Sequence, residues 1–303
     1  MERATPALVW LWFSLLAVVL GTKNCTPPYN ATHTMCMEPY QNCTTYYSET
    51  ALSNVTILWV HNHYRSHIAL GQLANFPPAA NMLQLRWDDT LAEVAEARGR
   101  RCVGSAGVMF TDYYEQRWTA DFPLVGQNVL TQRSNQATPA VTWEHVVRDW
   151  FDQNTNYPVN QVGSHDWARG TDAFTQIAWA RTYAIGCSYT RNEVPALAPE
   201  SKVFLYVCNY GPQGGEVGEP LYQAGPPCSL CPEDTACDSS AGLCVLQGDK
   251  PGADRPPITT SAPPVLRHPP EALDSAPAAV AVAVAPALAA ALVAVHRWWY
   301  GVA

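Results

Sequence analysis

Val207-Cys208-Asn209-Tyr210-Gly211-Pro212-Gln213-Gly214 is the stretch on which the fold turns. It closes a run, Val203 to Tyr210, whose apolar residues alternate in part, the period of a strand with two distinct faces. Gln127 to Thr131 and Ala184 to Tyr189 are the other strand candidates. Helical patterns lie ahead of them. Ile57, Val60, Tyr64 and Ile68 recur at helical spacing behind Ser53, a candidate N-cap. Leu91, Val94, Ala95 and Arg98 form a second stripe. It is entered through Trp87-Asp88-Asp89, where an aspartate can cap and favours the positive end of the helix. Thr138-Pro139 opens a third helix, since proline suits the first helical position, and Trp143, Val146, Val147 and Trp150 give its apolar face. Thr171 to Trp179 makes a short fourth. Trp59, Trp87, Trp143, Trp150 and Trp179 all fall at core positions. Helices followed by strands with irregular connections predict an α+β sandwich.

The chain has 303 residues, a formal charge of -8, ten cysteines and 25 prolines. That length allows one fair-sized domain or two small ones with tails. Eighteen basic against 26 acidic residues, with no dense Lys/Arg run, exclude nucleic acid as a partner.

Both ends are apolar. Ala7 to Leu20, preceded by Arg3 and followed by Gly21, has the charged start, apolar stretch and small-residue exit of a secretory signal peptide over residues 1–21. At about fourteen residues the run is short of a membrane span. The cysteines that follow therefore mature in an oxidising compartment and read as disulfides. Residues 22–50 carry three cysteines without a clean period and are expected to be irregular and tied by bridges. Four sequons cluster there and just beyond, at Asn24, Asn30, Asn42 and Asn54, which marks this segment as a glycosylated surface. Residues 51–222 form the core domain, 223–247 a cysteine-rich hinge, and 248–275 a Pro-rich stalk in extended polyproline geometry. Residues 276–295 hold 11 Ala, 5 Val, 2 Leu and 2 Pro, long enough to reach across a bilayer. Two readings put this run at a membrane. One is a glycolipid-anchor signal, with Asp274-Ser275-Ala276 supplying the small attachment residues. The other is a single span, with residues 296–303, including Trp298-Trp299-Tyr300, as a tail. Without either, the chain is secreted.

Three passages narrow the fold further: His61-Asn62-His63-Tyr64-Arg65, Phe174-Thr175-Gln176-Ile177-Ala178-Trp179 followed by Gly186-Cys187, and the opening stretch itself. Together with Ala79-Ala80-Asn81-Met82, Leu85-Arg86-Trp87-Asp88 and Gly126-Gln127-Asn128, they closely resemble the CAP superfamily of cysteine-rich secretory, antigen 5 and pathogenesis-related class 1 proteins. The resemblance covers Cys25 to Tyr222 and implies a three-layer α-β-α sandwich. The amino-terminal portion looks like antigen 5, through His33-Thr34-Met35-Cys36 and the Cys25 to Cys43 spacing. Cys228-Ser229-Leu230-Cys231, Cys237 and Gly242-Leu243-Cys244 look like the hinge of cysteine-rich secretory proteins. Spacing alone does not fix the pairing. The resemblance implies Cys25–Cys36, Cys43–Cys102, Cys187–Cys208, Cys228–Cys237 and Cys231–Cys244. A zinc or redox motif is the competing reading of Cys228-x-x-Cys231, and an even cysteine count in a secreted chain argues against it.

Many members of that superfamily hold two histidines and two glutamates in a central cleft that binds a divalent metal. Carried over residue by residue, the set fails here: Gln127 stands for one glutamate, Gln153 for the other, Ala173 for a histidine, and no histidine follows Cys102 as far as Asp112. An amide does not balance a dication and a methyl offers no donor atom. No metal, no cofactor and no catalytic residue are therefore expected. His63 and His67 stand at a metal-ligand spacing, but no acidic residue accompanies them. Ser164-His165-Asp166 is only a local string, since a triad needs convergence in space.

Binding remains. Phe110, Tyr113, Tyr114, Trp118 and Phe122 place large rings on an expected long loop, the material of protein or lipid recognition. The plainer alternative is that they pack the loop onto the sandwich. The expected function is non-enzymatic recognition of a protein receptor by a surface-tethered ectodomain. Carriage of a sterol or fatty acid is the alternative, and a hydrolase is a distant third.

Overall fold

The structure, a computed structural model, describes residues 25, 28–38, 44–47, 51–101, 112–135, 141–193 and 202–249, with backbone alone for 44–47 and 51–53. The signal-peptide run, the stalk from residue 250 onward, the apolar C-terminal run, Asn24, Asn42, Cys43–Cys102, Phe110, Thr138-Pro139, Asp274 and Ser275 lie outside those residues.

A five-stranded sheet forms the middle layer. β3 (Gly126–Ser134), β4 (Ala184–Glu193) and β5 (Lys202–Gly211) are antiparallel neighbours with β5 between the other two. β1 (Thr44–Tyr47) pairs antiparallel with the outer side of β4, and the short β2 (Arg86–Trp87) runs parallel to β4. Period-two alternation sends Phe204, Tyr206, Cys208 and Tyr210 into the large core cluster, while Leu205 and Val207 meet Ala95 and Val129 on the opposite face. Helices cover both faces, which is why β5 is buried along almost its whole length.

One helical layer is α1 (Ala51–Ala69), α3 (Trp143–Phe151) and α4 (Asp172–Ala178); Ile57, Tyr64, Ile68, Val147, Trp150, Phe174 and Ile177 fill its contact with the sheet. The other layer is α2 (Asp89–Arg100). Gly186 on β4 is needed for that packing: a Cβ there would run into the backbone of Asp88, Leu91 and Ala92. The result is an α+β sandwich of three layers.

The expected elements meet the structure unevenly. Asp88 caps α2, its carboxylate accepting from Leu91 N–H at 2.8 Å. Ser53 is no cap, because α1 already begins at Ala51. α3 starts at Trp143 behind Thr142 rather than at Pro139. The segment expected to be irregular contains β1, whose Thr-Thr-Tyr-Tyr sequence suits a strand once β4 offers an open edge.

The hinge is a hairpin, β6 (Thr235–Asp238) and β7 (Leu243–Leu246), and it borrows its core from the sandwich. Leu243 joins the large cluster. Cys244 N–H donates to Met82 O at 2.8 Å, and Gln84 N–H donates to Cys244 O at 2.9 Å. Hinge and sandwich belong to one compact unit.

Candidate functional site

Gln127, Gln153 and Ala173, the residues expected in place of the family's ligands, are engaged in hydrogen bonds within the fold. Gln153 Oε1 accepts from Ala173 N–H at 2.9 Å, capping α4 where Thr171 makes no side-chain cap. Gln127 accepts from Asp112 N–H at 3.0 Å and donates to Asn209 Oδ1 at 3.0 Å; the Asn209 amide donates to Leu91 O at 3.1 Å. Ala173 is buried, and its carbonyl accepts from Asn128 Nδ2 at 3.1 Å.

Beneath these residues runs a buried polar spine built on α1. The Ile57 carbonyl can only accept, so His61 donates to it through Nδ1–H at 2.8 Å. Nε2 is then the acceptor, and Tyr210 donates its hydroxyl proton to it at 2.9 Å while accepting from Asn128 Nδ2 at 3.1 Å. Both His61 nitrogens, the Tyr210 hydroxyl and Asn128 Nδ2 are thus all bonded. Burial pushes the His61 pKa down to about 4, and Arg65 adds repulsion, so the ring is neutral at physiological pH. Asn62 forms a two-way bond with the backbone of Leu85, at 2.9 and 2.8 Å. Arg65 is fully buried and donates to five carbonyls, those of Leu83, Ile177, Trp179, Ala180 and Thr182, tying three separate stretches of chain together. His61, Asn62 and Arg65 are thus framework.

The other histidines are equally engaged. His63 stacks on Trp59 with 5.6 Å between centroids, and His67 Nδ1 lies 3.1 Å from Gln72 Oε1. His165 is buried, with Nδ1 3.0 Å from the Tyr157 hydroxyl. Ser164 Oγ donates to Gly218 O, and Asp166 accepts from Trp167 N–H, so the string of three does not converge. His33, of the antigen 5-like segment, donates from Nε2 to Trp118 O at 2.8 Å and stacks on Tyr29 at 4.2 Å. Among the described residues, the sulfurs of Cys228, Cys231 and Cys244 form the one cluster close enough to share an ion, and all three are in bridges. The structure joins Cys25 to Cys36, Cys187 to Cys208, Cys228 to Cys237 and Cys231 to Cys244.

The ring-rich loop divides. Phe122 is 4 % exposed and packs with Leu91, Val125 and Ala184, while Trp118 is half-buried against His33 and Tyr29. Tyr113 is 73 % exposed and Tyr114 52 %, with Leu124 at 49 % further along. An ionic anchor that sequence reasoning missed holds the loop's base. Buried Asp112 faces Arg98 Nε at 3.1 Å and Arg101 Nη1 at 3.6 Å, and Arg117 donates to the Asp112 and Val125 carbonyls. Asp112, directly before Tyr113-Tyr114, was the available signal. Of the described sequons, Asn30 is exposed, and its Oδ1 accepts from Thr32 Oγ1 at 2.7 Å; Asn54 is half-buried in α1.

A disulfide-bridged α-β-α sandwich with a buried polar spine and a docked cysteine hinge is the class that fold and site define. Residues 58–210 match the family described as CAP, the cysteine-rich secretory protein family, and the chain belongs to it. Its antigen 5-like character shows in the relatives. It is 32% identical to a venom allergen 5 of Tityus serrulatus over 75% of this chain and 56% of that protein. It is 31% identical to peptidase inhibitor 16 of Mus musculus over 69% of this chain and 37% of the relative. The chain therefore spans little more than half the length, or less, of these curated relatives. A crystal structure of NaASP2 with Zn2+ superposes with a TM-score of 0.52 at 28% identity, covering 69% of this chain and all of that one. The bridges and the secretory family agree on an extracellular setting. Among the described residues no helix is long and apolar enough to cross a membrane.

Proposed function

We propose that this chain is a non-enzymatic, glycosylated, surface-tethered ectodomain that acts by recognising a protein partner through the loop around Tyr113 and Tyr114. The observation that carries the reading is the division of that loop: Phe122 and Trp118 anchor it inward while Tyr113 and Tyr114 project outward from a base fixed by Asp112 and Arg117. Rigidly seated tyrosines supply apolar area with a polar tip at small entropic loss, the composition favoured at protein interfaces. The name of one relative, peptidase inhibitor 16, also describes binding to a protein.

The cleft supports no catalytic alternative in this reading. The NaASP2 structure contains Zn2+, but the positions Gln127, Gln153 and Ala173 here offer amides already bonded to backbone and side chains, and a methyl. These residues do not fit a dication. A stoichiometric rise in melting temperature with added zinc would overturn that part. The tether through residues 276–295 is tested on cells. Release by a phosphatidylinositol-specific phospholipase identifies a glycolipid anchor; retention points to a span.

The deciding experiment is mass spectrometry of lipids extracted from the ectodomain, residues 22–247, secreted from a eukaryotic host. A lipid-free protein that binds cells, and loses that binding with Tyr113→Ala and Tyr114→Ala together, supports partner recognition. A stoichiometric sterol or fatty acid makes the carrier reading primary.

A further inference from the structure

The hinge holds its two disulfides in an arrangement that admits a second pairing. Cys228, Cys231 and Cys244 have their sulfurs within 4.8 Å of one another, although Cys228 is bonded to Cys237 and Cys231 to Cys244. The fourth cysteine, Cys237, is exposed and sits directly across the hairpin from Cys244 as its register partner. Register partners on antiparallel strands can be bridged in this fold: Cys187 and Cys208 face each other across β4 and β5 and are joined. Cys228 also has a φ of 62°, a left-handed conformation that residues with a side chain adopt rarely.

We infer that the hinge is a disulfide-isomerisation switch, worked by a small external thiol, that exchanges Cys228–Cys237 and Cys231–Cys244 for Cys228–Cys231 and Cys237–Cys244. The thiolate attacks the accessible Cys237 sulfur. The Cys228–Cys237 bond breaks, a mixed disulfide forms on Cys237, and Cys228 leaves as a thiolate. Cys228 then attacks the neighbouring Cys231 sulfur, forming Cys228–Cys231 and expelling the Cys244 thiolate. Cys244 attacks Cys237 across the hairpin, closing Cys237–Cys244 and returning the external thiolate. Two bridges are consumed and two are formed, with no net oxidation or reduction.

The exchange has a mechanical consequence. In the described pairing both bridges tie the loop 228–231 to the hairpin. In the second pairing that loop is closed on itself, while the hairpin keeps its place through the Cys244 bonds to Met82 and Gln84. The switch thus frees one loop, Leu230 included, from the hairpin beside the sandwich.

Glu233 is the one glutamate between Cys231 and Cys237, so cleavage after it reads the pairing directly. The folded, secreted protein is incubated with substoichiometric glutathione, quenched in acid, alkylated, unfolded in urea and cut after glutamate without reduction. The described pairing keeps the two sides of Glu233 covalently joined. The expected result is a fraction, growing with thiol exposure to a plateau, in which the sides separate, each retaining one internal bridge and no alkyl group. Peptides that stay joined in every molecule overturn the inference, as do peptides that separate only with alkylated cysteines, which is reduction without exchange. The Cys187–Cys208 bridge, buried in the core, is the internal reference and should not change.

Discussion

The spine under α1 and the loop at 112–125 contain the same kinds of residue, histidine or tyrosine beside arginine, and use them in opposite ways. In the spine, His61, Tyr210, Asn128 and Arg65 are fully buried or nearly so, and their polar atoms meet other parts of the same chain. In the loop, Arg117 and Asp112 are buried only to hold a base, and Tyr113 and Tyr114 stand in solvent above it. A buried polar group must find its partner within the fold, because leaving it without one costs more than the bond contributes. An exposed ring carries no such obligation. The spine is therefore committed to stability, and the loop is available for recognition.

The comparison breaks most visibly at Arg65. Replacing it by Leu removes a donor from five carbonyls at the junction of α1, α4 and the segments leading to β2 and β4; Trp179 O and Ala180 O keep backbone donors in Thr182 and Leu83 N–H, and those of Leu83, Ile177 and Thr182 lose the guanidinium. The expected loss is about 4 kcal/mol, enough to prevent secretion of the folded chain from a marginally stable domain. Arg65→Lys should restore little, since one ammonium cannot reach carbonyls arrayed around a planar fork. The secreted yield reads this, and urea midpoints measure it for any variant that still emerges folded. A loss below about 1 kcal/mol for the leucine variant would mean that water takes over the guanidinium's role.

His61 tests the spine by pH. The unfolded chain takes up a proton near the ordinary value of 6.5, whereas the folded chain refuses it until about pH 4. Stability from this group is complete above pH 6.5 and falls as the pH drops toward 4, by about 3 kcal/mol in all. His33 and His165, also pushed down by burial, act in the same direction. Denaturation at pH 7 and pH 4.5 should show the loss, and His61→Gln should flatten the slope even as it lowers stability at pH 7. An unchanged slope in that variant would assign the acid sensitivity to the other histidines.

The difference between the regions also marks what the sequence made legible. Asp88 and the α2 stripe could be read locally, because capping and helical period depend only on neighbours in the chain. Asp88→Ala should accordingly cost about 1 kcal/mol, and a urea midpoint unmoved by it would show that contact with Gly186 alone positions the helix. β1 was not legible, since its partner, residues 190–193, lies far along the chain. Nor was the start of α3, where the Pro139 signal pointed four residues too early. The reading of Gln127, Gln153 and Ala173 as substitutions rests on resemblance alone, and the bonds that the two glutamine amides make were not legible at all. The loop presented the hardest case: it has no period, so nothing in the order Tyr113, Tyr114, Trp118, Phe122 says which rings turn inward. Asp112, Arg98 and Arg117 decide that, and they meet only in three dimensions.

The smallest expected effect on stability sharpens the comparison most. Tyr113→Ala and Tyr114→Ala together remove two rings that are mostly in solvent, so the folding free energy should change by no more than about 0.5 kcal/mol. Tyr114 has one evident internal contact, the Arg117 guanidinium 5.8 Å from its ring centre, and Arg117 keeps its carbonyl partners without it. Phe122→Ala is the matched control. It deletes a ring from the cluster with Leu91, Val125 and Ala184 and should cost about 3 kcal/mol, because a buried aromatic leaves a cavity. If the tyrosine pair proves as destabilising as Phe122, the outward rings are part of the fold and the recognition surface must be sought elsewhere. If the pair leaves the urea midpoint in place while cell binding falls at least about tenfold, the loop is a binding device. Comparing the two variants in one assay keeps a folding defect from passing for a lost contact, since only the surface pair should separate binding from stability.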